Sequence, residues 1–273
     1  MGTLAGRTIV ITGASSGIGA ATAVACAAAG MDVVLAARRA ERLEAVAERV
    51  RAAGRRAELV VGDVTDPATD AALLEAATGL PGGLDAVFAN AGYGLDRGLL
   101  ETGEDAIRGL LETNVLAAHR LLVAAGGRLV ADGRRGHLLS CSSCLARFTV
   151  PGSAAYAASK AAQAALAAGL RMELRGSGVA VSSVHPVTTR TEFFSVAAGG
   201  PEAGGDGMGR LRGLAAWLAQ PPERVAGAVV ACLRRPRPEV WTSAATRWGA
   251  AVMVAMPRLG DAICRRLVAT PER

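Results

Sequence analysis

Short runs rich in valine, leucine and other apolar residues alternate along the chain with longer, alanine-rich stretches of helical composition. The runs predict strands at Thr8–Thr12, Asp32–Ala36, Ala57–Val61, Leu84–Ala89, His137–Cys141, Val179–Val184 and Glu239–Thr242. Between them helices are expected near 17–29, 39–53, 67–78, 104–125, 153–176 and 222–234. Strands that read as apolar throughout belong to a sheet covered on both faces. Strict alternation of strand and helix implies right-handed crossovers between parallel strands. The expected fold class is therefore α/β, a doubly wound parallel sheet of about seven strands with helices on both faces, formed as one domain over 1–273. The glycine-rich stretch Ala197–Gly209 is too polar and flexible for core, and it falls in an expected substrate lid at 192–221. A C-terminal extension, 244–273, follows the last strand.

Composition narrows the picture. At 273 residues and 51% hydrophobic content the chain can bury a large single core. No run of 18 apolar residues occurs, so no spanning helix is expected. Met1 leads directly into a strand-like segment, so no signal peptide is expected, and five cysteines without a framework spacing make a reducing cytoplasm the expected location. The net charge of +6 comes from arginines mixed with carboxylates, as in Arg38-Arg39-Ala-Glu-Arg-Leu-Glu, and not from a basic stripe, so no nucleic-acid partner is expected. Cys141-Ser-Ser-Cys144 has no second Cys/His pair at ligand spacing and stands at a strand end, so the thiols read as small buried side chains and no metal is expected.

Among 30 basic residues there is one lysine, Lys160. A chain that fills its solvated positions with arginine keeps lysine where a compact ammonium is needed. Tyr156 precedes it by four residues, a spacing that puts both side chains on one helix face. An ammonium beside a phenol draws the tyrosine pKa down from about 10, which suits a general acid/base. Upstream, Thr12-Gly13-Ala-Ser15-Ser16-Gly17-Ile18-Gly19 follows the first strand and opens a helix. Glycines in that context allow a tight turn and close approach of backbone to a pyrophosphate, whose charge meets the helix N-terminus.

These two motifs and Asn90-Ala91-Gly92 after the fourth strand occur together in an order and spacing that resemble the short-chain dehydrogenase/reductase superfamily, over about residues 5 to 243. The resemblance implies a Rossmann-type domain with Asn114, Ser143, Tyr156 and Lys160 as catalytic residues. By the same resemblance, Ser143 bonds the substrate oxygen and Asn114 anchors a water that leads to the lysine. Asp63, with Val64 beside it, contacts the adenine; Asn90, Ala91 and Gly92 line the adenine ribose and stabilise the sheet. Relatives that prefer NAD carry a carboxylate at the end of the second strand, where this chain has Ala37 followed by Arg38 and Arg39. A neutral residue beside guanidinium groups favours NADP(H), with Arg38 gripping the 2′-phosphate and Ser15 adding a hydroxyl.

After the sixth strand the family has Pro-Gly and then a valine and a threonine that hold the carboxamide. Here Pro186 and Thr191 match, while Val187 stands in place of the glycine and Thr189 in place of the valine, so the loop is expected to approach the nicotinamide differently. His185 reads as structural. Ser140 and Ser142 are alternative serines, but strand alternation turns only one set towards the cofactor. Expected substrate walls are Tyr93, Leu145 and Phe148, with Phe193, Phe194, Met208, Leu211 and Trp217 from the lid. Phe193 and Phe194 either close over an apolar substrate or anchor the lid to the core. The extension, with Trp248, Val252-Met-Val-Ala-Met256, Arg258, Arg265 and Arg266, docks on the substrate end, pairs with another subunit or rests on a membrane, in that order of preference. The alanine-rich helices near 104–125 and 153–176 resemble those by which relatives assemble, so a homodimer or homotetramer is expected. The activity implied is NADPH-dependent reduction of a small-molecule ketone or aldehyde to an alcohol, or its reverse. The alternatives are an epimerase or dehydratase on the same residues, and a cofactor-binding scaffold or redox sensor without turnover.

Overall fold

The computed structural model describes residues 2–189 and 219–267. Seven strands form one sheet: β1 (Thr8–Thr12), β2 (Asp32–Ala37), β3 (Ala57–Val61), β4 (Leu84–Ala89), β5 (Gly136–Cys141), β6 (Val179–His185) and β7 (Glu239–Trp241). Their order is β3-β2-β1-β4-β5-β6-β7, and every neighbouring pair is parallel. All residues of β1, β2, β4 and β5 are buried, which is why these strands read as continuous apolar runs rather than as alternation.

Successive side chains feed two separate cores, as the pleat demands. Ile9, Ile11, Leu35 and Phe88 meet α1 (Gly17–Ala28), α2 (Ala40–Ala52) and α7 (Pro222–Arg234) through Cys26, Leu43, Val46, Val229 and Leu233. Val10, Val34, Val87 and Leu138 face the other way. They pack on α3 (Pro67–Gly79), α5 (Ala118–Ala131) and α6 (Ala154–Glu173) through Leu73, Leu121, Leu122 and Leu170. The chain runs outward from β1 to β3, then crosses back to β4, so the order reverses between β1 and β4. Loops leaving the carboxyl ends of these strands part there and leave a crevice, the place where such sheets bind ligands.

Two differences from the expected elements matter. The stretch expected as one helix near 104–125 is α4 (Glu104–Leu111), a π-helical segment at Glu112–Ala117 and then α5. One extra residue per turn in that segment rotates Asn114 relative to a regular helix, and insertions of this kind gather at functional sites. The extension folds as two helices, α8 (Ala244–Ala255) and α9 (Pro257–Leu267). α8 leans on β7 and on the 3-10 turn Cys144–Ala146. Of the lid, only its end is described: Gln220 N donates to Thr188 O at 2.9 Å, and Gln220 pairs with Thr189 in an isolated parallel bridge.

Candidate active site

The glycine loop owes its path to residues that tolerate no side chain. Gly13 and Gly17 have φ of 65° and 55°. A Cβ on Gly13 would lie 2.9 Å from Ala91 Cα, and one on Gly19 would lie 2.3 Å from Gly13 O. This closeness lets Thr12 lace β1 to the loop after β4. Its Oγ1 accepts from Asn90 N and Ala91 N, both at 3.0 Å, while Asn90 Nδ2 donates to Thr12 O at 2.9 Å. Ile18 turns partly into the core. Ser16 holds the N-cap position of α1, yet its side chain caps nothing. Its Oγ instead accepts from Arg39 Nη2 at 2.9 Å, and Ser15 Oγ accepts from the same nitrogen at 3.1 Å. The opening N–H groups of α1 are left without a side-chain cap, as an anion at that terminus requires, so the residues present fit a dinucleotide.

The end of β2 separates its two arginines. Ser15 is joined to Arg39, not to Arg38. Arg38 leans the other way and pairs with Asp63, Nη1 to Oδ2 3.6 Å, with its own side chain 78% exposed. Consecutive residues leaving a strand point to opposite sides, so the two arginines serve different edges of the crevice. Asp63 Oδ1 also accepts from Thr65 N at 2.9 Å and Thr65 Oγ1 at 2.8 Å. The backbone N–H of Thr65 contributes most to holding its carboxyl below the usual range, with Arg38 helping. Val64 O accepts from Arg120, whose guanidinium also grips Asp70. Ala37 is buried, and its carbonyl accepts from Gly62 N at 3.2 Å, which fixes where β2 ends.

Ser143, Tyr156, Lys160 and Asn114 come together across the ends of β4, β5 and α6. Asn114 is fully buried; its Nδ2 donates to Tyr93 O at 2.9 Å and Ser159 Oγ at 3.1 Å, and its Oδ1 accepts from Tyr93 N at 3.0 Å. Gly92 has no space beside it, because a Cβ there would stand 2.8 Å from Asn114 Oδ1 and 3.4 Å from Lys160 Nζ. Lys160 is 3% exposed and donates to Cys141 O at 2.8 Å and Gln163 Oε1 at 2.7 Å. Its Nζ lies 5.6 Å from the centre of the Tyr156 ring. Burial lowers the lysine pKa to about 8. Burial also pushes the Tyr156 phenol up, opposed by a hydrogen bond with the Ser143 hydroxyl.

The expectation that the ammonium draws the phenol down is thus not met in this arrangement. Desolvation outweighs a cation whose donors are turned to Cys141 and Gln163. Of the three serines, Ser142 gives its hydroxyl to Lys160 O at 2.8 Å and Ser140 is buried, which leaves Ser143 on the phenol. Ser143 Oγ also accepts from Leu145 N at 3.1 Å. Burial pushes the Cys141 thiol up and Cys144 to about 11, so neither is a ready nucleophile. Among the described residues no group of three His, Cys, Asp or Glu side chains is placed to hold a metal.

His185 is structural. It is fully buried, stacks on Trp241 at 4.7 Å, and hydrogen-bonds Ser143 O at 3.0 Å and Ser183 Oγ at 2.9 Å. It therefore braces the strand end that carries Ser143. Pro186 O accepts from Cys144 N at 2.9 Å. Val187 N donates to Thr242 Oγ1 at 3.3 Å, and Val187 O accepts from Thr189 Oγ1 at 2.8 Å. No described residue other than glycine has positive φ, so Val187 takes the family's glycine position without backbone strain. Tyr93 uses its backbone to seat Asn114, while Leu145 and Phe148 are half-buried beyond Ser143. Thr191, Phe193, Phe194, Met208, Leu211 and Trp217 lie outside the described residues. Sequence reading missed Thr12, Ser159 and Gln163. The one available signal was for Gln163, three residues after Lys160 on the same helix face.

The family model for short chain dehydrogenases matches residues 7–198. An uncharacterised oxidoreductase of Mycobacterium tuberculosis is 41% identical over 158 residues, 58% of this chain and 60% of that protein. The chain thus spans less than two thirds of the length of this curated relative. Among solved structures, a short-chain dehydrogenase from Sphingobium yanoikuyae in complex with NADPH is 29% identical, with a TM-score of 0.76 and coverage of 98% of both chains. A short chain dehydrogenase/reductase from Burkholderia phymatum in complex with NAD has a TM-score of 0.84 and covers 100% of both chains at 24% identity, a likeness of fold.

Proposed function

We propose, since the chain belongs to the short-chain dehydrogenase family, that it is an NADP(H)-dependent reductase of ketones or aldehydes, or the corresponding alcohol dehydrogenase. The observation that carries this reading is the Ser143–Tyr156 hydrogen bond within reach of the buried Lys160. The bound nicotinamide supplies a hydride to the carbonyl carbon, or takes one up in the reverse direction. Tyr156, held protonated by burial, gives its proton to the carbonyl oxygen, and Ser143 orients that oxygen. Lys160, at the same wall, offsets the phenolate charge as it forms. Asn114 fixes Tyr93 and Ser159 around the lysine, so the wall keeps its shape as the proton leaves.

Three features support NADP(H) over NAD. Ala37 offers no carboxylate to the ribose hydroxyls, Arg39 is already gathered with Ser15 and Ser16, and Arg38 lies across the opening by Asp63. The NADPH complex of the Sphingobium relative accords with this. The protein is further proposed to act as one domain and to assemble at least as a homodimer.

The test is Tyr156→Phe, assayed by loss of reduced-nicotinamide absorbance over a panel of ketones, aldehydes and quinones. Removing only the proton donor should cost about 10²–10⁴-fold in kcat with NADPH binding nearly unchanged. A variant that keeps more than about a tenth of wild-type kcat would overturn the assignment. Lys160→Arg should also fail, since a guanidinium cannot fit the compact contacts of Nζ with Cys141 and Gln163.

A further inference from the structure

The C-terminal hairpin shows solvent a surface that the packing of the described residues does not account for. α8 reads AATRWGAAVMVA, with Arg247 as its single charge. A helix so apolar belongs against protein or lipid on nearly every side, yet Ala250 is its one buried residue. Trp248 is 71% exposed, Val254 57%, Met256 55% and Val252 45%. Trp248, Val252 and Met256 follow at intervals of four and share a face. α9 closes on α8 through Gly260, where a Cβ would stand 3.1 Å from Met253 O, and through Cys264, whose Sγ is 3.8 Å from Met253 Sδ. That contact leaves Leu259 and Ile263 outside, one turn apart, while the exposed Arg258 and Arg265 share a separate face of α9. Residues 244–267 contain the arginines Arg247, Arg258, Arg265 and Arg266 and a single carboxylate, Asp261.

Charge decides what covers this surface. A second copy meeting it across a twofold axis would set the patch against itself, arginines against arginines, with one aspartate per chain to answer them. Anionic lipid headgroups answer all of them. Apolar side chains with tryptophan on one face and arginines on another are what a helix lying in the interface plane presents. No described helix is long and apolar enough to cross a membrane. We propose that the α8–α9 hairpin seats the protein on the surface of an anionic bilayer. Trp248, Val252, Met256, Leu259 and Ile263 enter the boundary between headgroups and acyl chains, and the arginines meet lipid phosphates. Because α8 leans on the turn Cys144–Ala146, directly after Ser143, the seated protein holds its site beside the bilayer, where apolar carbonyl compounds partition. This last consequence, unlike the seating itself, rests on the proposed activity.

The experiment is flotation of the full chain with vesicles of phosphatidylcholine alone and of phosphatidylcholine mixed with phosphatidylglycerol. Binding is expected to the mixed vesicles, to weaken as salt is raised, and to blue-shift tryptophan emission. Arg258→Glu with Arg265→Glu should weaken partition by more than about fivefold for each arginine reversed. Trp248→Ser with Val252→Ser should remove the emission shift. Both pairs are exposed, so unchanged circular dichroism and unchanged NADPH binding would show that the variants fold. Absence of binding to mixed vesicles, binding indifferent to both variants, or a fall in solution mass on Trp248→Ser with Val252→Ser would overturn the proposal, the last by making a second copy the occupant. Reductase activity retained in Tyr156→Phe with vesicle binding intact overturns the reductase reading alone, and activity lost in Tyr156→Phe with no vesicle binding by the wild type overturns the seating alone.

Discussion

Lys160 is where residue-scale physics is most exposed to test. Burial lowers its pKa to about 8, so the ammonium is present below that pH and is lost as pH rises through it. Tyr156 is held protonated throughout that range, so the alkaline limb of reduction should belong to the lysine. The expected profile of kcat/KM for NADPH is flat towards neutrality and falls above about 8. Gln163 offers the control. Its Oε1 accepts from Nζ at 2.7 Å and so supports the charged form, while its Nε2 is buried without a partner. Gln163→Leu should move the alkaline limb to lower pH, and Gln163→Glu to higher pH. A purely structural role would lower activity without moving the limb. The lysine itself was legible because the composition isolates it. Gln163 was not, since a glutamine on an alanine-rich helix acquires this role only once both side chains are buried together.

At the scale of elements, the strands were legible almost to the residue because a doubly covered parallel sheet leaves continuous apolar runs. The π-helical segment was not. One extra residue in a turn changes which side chains point inward but leaves no trace in composition, and Asn114 sits within it. The end of β2 shows the same limit. Two adjacent arginines are equivalent in sequence, while alternation sends Arg39 to Ser15 and Ser16 and Arg38 to Asp63. On the proposed NADP(H) reading, the larger share of phosphate recognition therefore falls to Arg39. Arg39→Ala should remove a charge-assisted contact worth about 1.5–3 kcal/mol and weaken NADPH binding by roughly 10–100-fold, with NADH little affected. Arg38→Ala should cost less, because its guanidinium is 78% exposed and already answered by Asp63. Fluorescence titration of both cofactors against each variant measures this. Equal effects of the two substitutions would mean that the hydroxyls of Ser15 and Ser16 do not select between the arginines.

For the whole molecule, the sheet is sealed on both faces, yet two of its covering helices keep apolar residues outward. On the π-segment and α5, Leu116, Val123 and Val130 are 51%, 44% and 45% exposed, and their spacing of seven puts them in one stripe. On α6, Leu166 is 38% and Met172 71% exposed, with Ala158, Ala161 and Ala165 exposed along the same helix. Alanines let a facing helix approach closely, and unlike the C-terminal hairpin this surface is poor in charge, so it suits a copy of itself. Alanine-rich helices were visible in the sequence; which of their faces stay bare was not, because that depends on how the helices lie on the sheet. Light scattering at micromolar concentration should give at least twice the chain mass of 27.6 kDa. Placing like charges on both helices, as in Val123→Arg with Leu166→Arg, should reduce it to one chain mass without touching Ser143, Tyr156 or Lys160. Wild-type protein that runs at one chain mass would mean that this face is covered by something other than a second copy.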